Sequence, residues 1–338
     1  MENRKFVVHA AAVELELAER FTIARASWDS ALNVFVTLSY GSVVGRGEVS
    51  PDERWGESAE SVVRDIHTVP LDRLAGPFDI EGLSELLPAG GARSALDIAM
   101  HDLAAKLAGV SVAELLGLGG REPPATSVTV PIAAPDEMVE RARGLADHPS
   151  LKMKVGFDGD VDVVAAIRGF YDGTLRIDAN EGWDTDTACA RLLDLEPYAI
   201  ELCEQPIPAG RPVELRRVTE SSPILIFADE DVCTARDVAD LVGVVDGVNL
   251  KLRKTGGLRE FVRAVNVARA HDMKVMIGCD LESGIAATAQ ASVASVTDYA
   301  DLDGPLLLKS DPYPGVGYDR GVMTLPPGPG LGVREPAA

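Results

Sequence analysis

Thr174-Leu175-Arg176-Ile177-Asp178, Ala199-Ile200-Glu201-Leu202-Cys203-Glu204 and Ile224-Leu225-Ile226-Phe227-Ala228-Asp229 repeat one pattern, a short apolar run closed by a carboxylate. Around them the chain beyond Pro123-Pro124 alternates short apolar runs with helix-length amphipathic segments, the β-then-α rhythm of a parallel sheet. Eight candidate strands are legible, at 127–132, 151–155, 175–178, 200–204, 224–228, 248–252, 274–278 and 298–303. Their ends, Lys154, Asp178, Glu204, Asp229, Lys251, Gly278 and Asp301, recur every 22 to 27 residues, one βα unit apart. Eight such units predict an α/β fold, a (β/α)8-type (modified TIM) barrel whose C-terminal strand ends converge on one face, where barrel enzymes keep their active sites.

Residues 1–122 follow another rule. From Phe6 to Glu48, short β-type runs such as 33–39 and 43–48 alternate with turn residues such as Tyr40-Gly41-Ser42. Leu96, Ala99, Leu103 and Leu107 stand at helical spacing and predict a strongly amphipathic helix over 92–107, with a second short helix over 111–116. The organisation expected is an N-terminal α+β capping domain over 1–122, a barrel over 123–317, and a Pro- and Gly-rich segment over 318–338 that returns to the capping domain.

A chain of 338 residues accommodates a barrel of about 250 residues with a smaller domain. Hydrophobic residues at 46% and charged residues at 25% describe a folded chain with ample core. Asp and Glu outnumber Lys and Arg by 53 to 32, and a net charge of −21 repels a phosphate backbone, so nucleic acid is not an expected partner. Charges interrupt the N-terminus before a signal-peptide core develops, and no apolar run reaches the roughly 18 residues of a membrane span, so no membrane partner is expected. Cys189, Cys203, Cys233 and Cys279 are widely spaced with no CxxC pair, which fits neither a zinc site nor a disulfide framework and suits the cytoplasm. The expected partner is a small molecule, and a homo-oligomer is the expected assembly.

Three carboxylates meeting at Asp178, Glu204 and Asp229 without His or Cys suit a hard cation, Mg²⁺ first and Mn²⁺ second. Taken singly, each acid could instead cap a helix or pair with a surface cation. Lys152 and Lys154 alternate on one strand and face the same way. Lys251 ends the sixth strand, across an eight-stranded ring from the second, so Lys154 and Lys251 are placed to face each other. Lysines desolvated near other cations have pKa values pulled toward neutrality and act as bases. Two bases on opposite faces of one carbon suit epimerisation, in which a substrate carboxylate binds the metal, one lysine removes the adjacent proton to give an enediolate, and the other returns it. Solvated lysines that neutralise the acidic ring are the plainer reading of the same residues.

The motifs GRGE (45–48), SALDIAMHDLAAKLAGVSVAELLG (94–117), LKMKVG, RIDANEGW, CEQPI, ADE, NLKLRKTGG and LPPGPGLG resemble the enolase superfamily, in particular its muconate-lactonizing-enzyme subgroup, over nearly the whole chain. The resemblance implies metal ligands Asp178, Glu204 and Asp229, catalytic Lys154 with Lys152 beside it, and Lys251 as the opposing base. Asn180 and Gln205 follow two of the ligands and help shape the site. Asp301-Leu302-Asp303 resembles the DxD motif of dipeptide epimerases of the L-Ala-D/L-Glu type. Two carboxylates one residue apart on a strand face the same way and can hold an α-ammonium. DxD is also a common turn and cap sequence.

The reading is therefore an isomerase, an Mg-dependent dipeptide epimerase that inverts the α-carbon of the C-terminal residue. Arg25 and Asp280 are candidate substrate contacts. Ala26 stands where the Ala-Glu epimerases place an arginine, with Arg25 adjacent, while Asp280 follows strand seven at a position usually apolar. Together they point to a non-acidic or cationic second residue, unless Asp280 pairs with Arg253 or Lys254 or caps a helix. Loops near Ser27 and Glu53 are expected to close over the substrate. The alternative is an o-succinylbenzoate synthase or N-succinylamino acid racemase, which would leave Asp301 and Asp303 without an ammonium. Muconate-type lactonisation is disfavoured for the same reason, and a non-catalytic scaffold would have shed at least one of the lysines or acids.

Overall fold

The computed structural model describes residues 5–335. Eight parallel strands follow one another around a ring in sequence order: β4 (Val128–Val130), β5 (Ser150–Lys154), β6 (Thr174–Asp178), β7 (Ile200–Glu204), β8 (Leu225–Ala228), β9 (Gly247–Leu250), β10 (Lys274–Gly278) and β11 (Tyr299–Asp301). A bridge between Thr126 and Ala300 joins the first strand to the last. Helices between the strands cover the outside, and Leu151, Met153, Leu175, Ile177, Val248, Val275 and Ile277 are fully buried beneath them. Strands covered on both faces read as unbroken apolar runs, which is why they stand out in the sequence. The sixth strand is shorter than expected, ending at Leu250, because the chain turns at Lys251 into a single helical turn, Leu252–Thr255.

The N-terminal region is an antiparallel sheet of three strands, β1 (Phe6–Ile23), β2 (Ala26–Tyr40) and β3 (Val43–Val49), backed by α1 (Ala59–Thr68), α2 (Ile80–Leu86) and α3 (Gly91–Ala108). β1 and β2 span 18 and 15 residues, far longer than the short runs expected, because their polar and apolar positions interleave irregularly around a bulge between Glu16 and Phe21. The amphipathic reading of α3 is also corrected: from Arg93 to Ala105 every residue is buried, with the sheet on one side and the barrel on the other. A helix covered all round carries no apolar stripe. Its contact with β3 explains the glycines of GRGE, since a Cβ on Gly45 or Gly47 would overlap the carbonyl of Ala99 or Ala95.

After a hairpin of β12 (Gly317–Asp319) and β13 (Val322–Thr324), the chain runs along the end of α3. There Gly330 N donates to Val110 O, and Leu331 N donates to Asp102 Oδ1 at 2.7 Å. Among the described residues no helix is long and apolar enough to cross a membrane.

Candidate active site

A cavity of about 650 Å³ opens at the C-terminal ends of the barrel strands and is roofed by the N-terminal region. Its floor carries Lys152, Lys154, Asn180, Asp229, Glu230, Lys251, Arg253, Lys254, Asp301 and Asp303, so the strand-end residues selected by spacing do converge. Asp178 and Glu204 lie just beneath, 1% and 0% exposed.

The lysines and acids form one network. Lys152 Nζ lies 2.6 Å from Glu204 Oε2, 2.7 Å from Asp301 Oδ2 and 3.1 Å from Asp178 Oδ2. Lys154 Nζ donates to Asp178 Oδ2 at 2.6 Å. On the far side of the ring, Lys251 Nζ is 3.1 Å from Asp229 Oδ2 and 3.6 Å from Asp280 Oδ1, while Lys254 Nζ donates to Asp229 Oδ1 at 2.5 Å. Burial disfavours the charged ammonium of Lys152 and Lys251, yet the carboxylates around each outweigh it and raise both pKa values well above the ordinary one. At Lys152 and Lys251 the surrounding carboxylates outweigh the neighbouring ammonium groups.

The acids divide unequally. Burial would raise Asp178, but Lys154 and Lys152 hold it at about 2, and Lys251 and Lys254 hold Asp229 well below the usual carboxylate range. Glu204 is pushed up to about 8, by burial first and then by the Asp178 charge. Ammonium groups separate these acids, so among the described residues no three carboxylate, imidazole or thiol side chains by themselves enclose an ion. The donor set nevertheless fits a hard cation. Its candidate donor atoms are carboxylate and amide oxygens: Asn180 Oδ1 and Asn249 Oδ1 are buried acceptors that receive no hydrogen bond, and Glu204 Oε2 has only the Lys152 ammonium beside it, at 2.6 Å.

Asp301 and Asp303 face the cavity, while Leu302 between them is fully buried. Asp301 accepts from Lys152 and from Ser127 Oγ at 2.7 Å, and Asp303 Oδ2 accepts from Thr129 N at 2.7 Å. Burial, and then the neighbouring Asp301, push Asp303 up to about 6.

The two candidate side-chain contacts are already engaged. Arg25, in the β1–β2 turn, lies 2.7 Å from Glu230 Oε1 and donates to Asn180 O at 3.1 Å. Asp280 Oδ2 accepts from Arg253 Nε at 2.8 Å, the ion pair that competed with a role in substrate recognition. Glu230, Arg253 and Lys254 also line the floor; the sequence does not single out Glu230, which follows Asp229, and offers Arg253 and Lys254 only as partners of Asp280. The alternation of the ADE and KLRK motifs was the available signal. Gln205 lies behind the wall, its Oε1 accepting from Asp229 N at 2.9 Å. The roof loops meet the floor through ion pairs, with Arg54 of the short 3-10 helix Glu53–Trp55 donating to both oxygens of Glu181 at 2.5 and 2.6 Å.

Residues 6–117 match the family description mandelate racemase / muconate lactonizing enzyme, N-terminal domain, and residues 137–335 match enolase C-terminal domain-like. An L-Ala-D/L-Glu epimerase of Bacteroides thetaiotaomicron is 36% identical over 329 residues, 95% of this chain and 86% of that one. A hydrophobic dipeptide epimerase of Roseobacter litoralis is 36% identical over 335 residues, 92% of this chain and 94% of its own. The crystal structure of a dipeptide epimerase from Cytophaga hutchinsonii, complexed with Mg and the dipeptide D-Ala-L-Val, superposes with a TM-score of 0.91 at 32% identity, over 98% of this chain and 96% of that one.

Proposed function

The chain belongs to the mandelate racemase / muconate lactonizing enzyme family of the enolase superfamily, and within it we propose that this protein is a dipeptide epimerase that inverts the α-carbon of the C-terminal residue. One observation carries the reading: Lys154 and Lys251 reach one cavity from opposite strands of the ring, with the Asp301 and Asp303 carboxylates at its edge. A lysine on each face of a carbon can remove its proton from one side and return one from the other. Lys152, braced by three carboxylates, supplies fixed positive charge beside Lys154.

Asp178, Glu204 and Asp229, helped by Asn180 and Asn249, would hold Mg²⁺, with Mn²⁺ as second choice. That cation supplies the charge that steadies the substrate carboxylate as its neighbouring proton leaves. The chain's own groups orient the substrate. Asp301 and Asp303 accept the N-terminal ammonium, a group that N-succinylamino acids and muconate lack, which favours a dipeptide over those rivals.

Phe21, Ile23, Trp28, Leu281 and Leu307 give the cavity an apolar wall. Arg25 is held by Glu230 and Asp280 by Arg253, so neither offers its full charge to a side chain. The favoured second residue is therefore non-acidic and apolar rather than cationic. Chiral chromatography of L-Ala-L-Leu, L-Ala-L-Lys and L-Ala-L-Glu incubated with enzyme and Mg²⁺ tests this. Fastest inversion of the leucine dipeptide is expected, fastest inversion of the glutamate dipeptide overturns the side-chain assignment, and inversion of none, with turnover of N-succinyl amino acids, overturns the function.

A further inference from the structure

The helix Leu258–Ala270 begins just after Gly256-Gly257, and its N-cap, Gly257, has no side chain to accept from the first backbone N–H groups. Asp97 of α3, in the other domain, does so instead, with Leu258 N donating to its Oδ1 at 2.7 Å. Four residues earlier on α3, Arg93 donates from Nη2 to Thr255 O at 2.8 Å and from Nε to Gly256 O at 3.2 Å. Those carbonyls close the helical turn Leu252–Thr255, whose N-cap is Lys251. A carboxylate thus meets the positive end of one helix and a guanidinium the negative end of the preceding turn, each the favourable sign.

Both side chains are built in. Arg93 is 8% exposed and Asp97 4%. His101, one turn on, places Nδ1 3.1 Å from Asp97 Oδ1. Gly256 and Gly257 have φ of 85° and 117°, and a Cβ on either would overlap Arg93 or Asp97. The close approach of α3 to this loop is what the double glycine permits.

We propose that Arg93 and Asp97 are positioning residues for Lys251, clamping the segment 251–258 from the capping domain so that its ammonium meets one face of the substrate carbon. The proposal rests on the two-lysine reading above. Lys154, inside β5, has no counterpart to this clamp in α3, so loosening it disturbs one face of the reaction and spares the other. A displacement of about 1 Å in a reacting group costs on the order of a hundredfold in rate.

The test uses the full-length enzyme with Mg²⁺ in D₂O and both epimers of L-Ala-Leu, following deuterium wash-in by mass spectrometry and inversion by chiral chromatography. For Arg93→Ala and Asp97→Ala, inversion is expected to fall about tenfold to a hundredfold. The epimer whose proton Lys154 takes keeps exchanging with retention, while the other epimer loses exchange in proportion. Asp97→Asn, which keeps the acceptor for Leu258 N, restores most of the inversion. Equal loss for both epimers, or no loss in either, overturns the clamp, and Arg93→Lys, which keeps a charge but loses the paired Nε and Nη2 donors, supplies the same comparison should the alanine variants fail to fold. Absence of exchange in the unaltered enzyme overturns the function itself and the clamp with it.

Discussion

Lys154 is the last residue of a five-residue strand that pairs with a neighbour on each side, whereas Lys251 stands one residue past the end of its strand, at the start of a single helical turn. The first is fixed by backbone ladders within the barrel. The second depends on side chains that reach it from elsewhere: Asp229 and Asp280 around its ammonium, and Arg93 and Asp97 beneath its loop. Two groups to which the proposed reaction gives equivalent tasks are thus held by different physics, one by hydrogen bonds intrinsic to the sheet and one by an interface between domains. Rigid elements place functional groups more accurately than loops do, and a loop can match them only when its supports are in place.

The comparison can be broken at several levels. Removing either proposed base, as Lys154→Ala or Lys251→Ala, is expected to lower the rate of dipeptide inversion by about 10² to 10⁴, the usual contribution of a general acid–base group. Met153→Ala tests the sheet side, since Met153 is fully buried between the two lysines of β5. It should reduce unfolding free energy by about 2–5 kcal/mol in denaturant titrations. The corresponding disturbance of the Lys251 side, made at Arg93 or Asp97, should weigh on the reaction more than on stability. Asp301→Asn removes a charge that faces both Lys152 and the cavity, and a KM raised about tenfold to a hundredfold follows from losing a hydrogen bond between charged groups.

Glu282, which accepts from Asp280 N at 3.2 Å, is pushed up to about 8 by burial and then by the charges of Asp280 and Glu48. Its ordinary value is 4.5, so between those values the folded protein binds a proton that the unfolded chain releases. Stability from this group is present at low pH and is lost as pH rises toward 8. Glu282→Gln should therefore flatten the fall in unfolding free energy between about pH 5 and 8, whereas an unchanged slope would remove Glu282 from this account. The smallest effect is expected at Arg54→Ala, which cuts a pair at the rim whose side chains are 30% and 10% exposed and leaves Glu181 with Arg25 at 3.7 Å. Pairs of this kind contribute about 0–1 kcal/mol, so KM should rise no more than about fivefold, and less at high salt.

The parts of the molecule that rest on backbone repetition were legible in the sequence, and those that rest on tertiary coincidence were not. Asp178, Glu204 and Lys154 end their strands as their spacing required, because strands buried on both faces leave the apolar runs unmistakable. Lys251 was chosen for its place at the end of a strand, although the strand stops before it. Asp97 and Arg93 were invisible: in a helix buried all round, nothing in the periodicity separates a polar residue that caps another domain's helix from one that faces water. The engagement of Asp280 by Arg253 was one of two readings open at the start, and only geometry chose between them.

The central claim, two lysines serving opposite faces of one carbon, is tested most directly by following α-proton exchange in D₂O from each epimer of a dipeptide separately, with Lys154→Ala and Lys251→Ala beside the unaltered enzyme. Each variant is expected to lose inversion while still washing deuterium into one epimer, a different epimer for each variant. Loss of exchange from the same epimer in both variants would contradict the account.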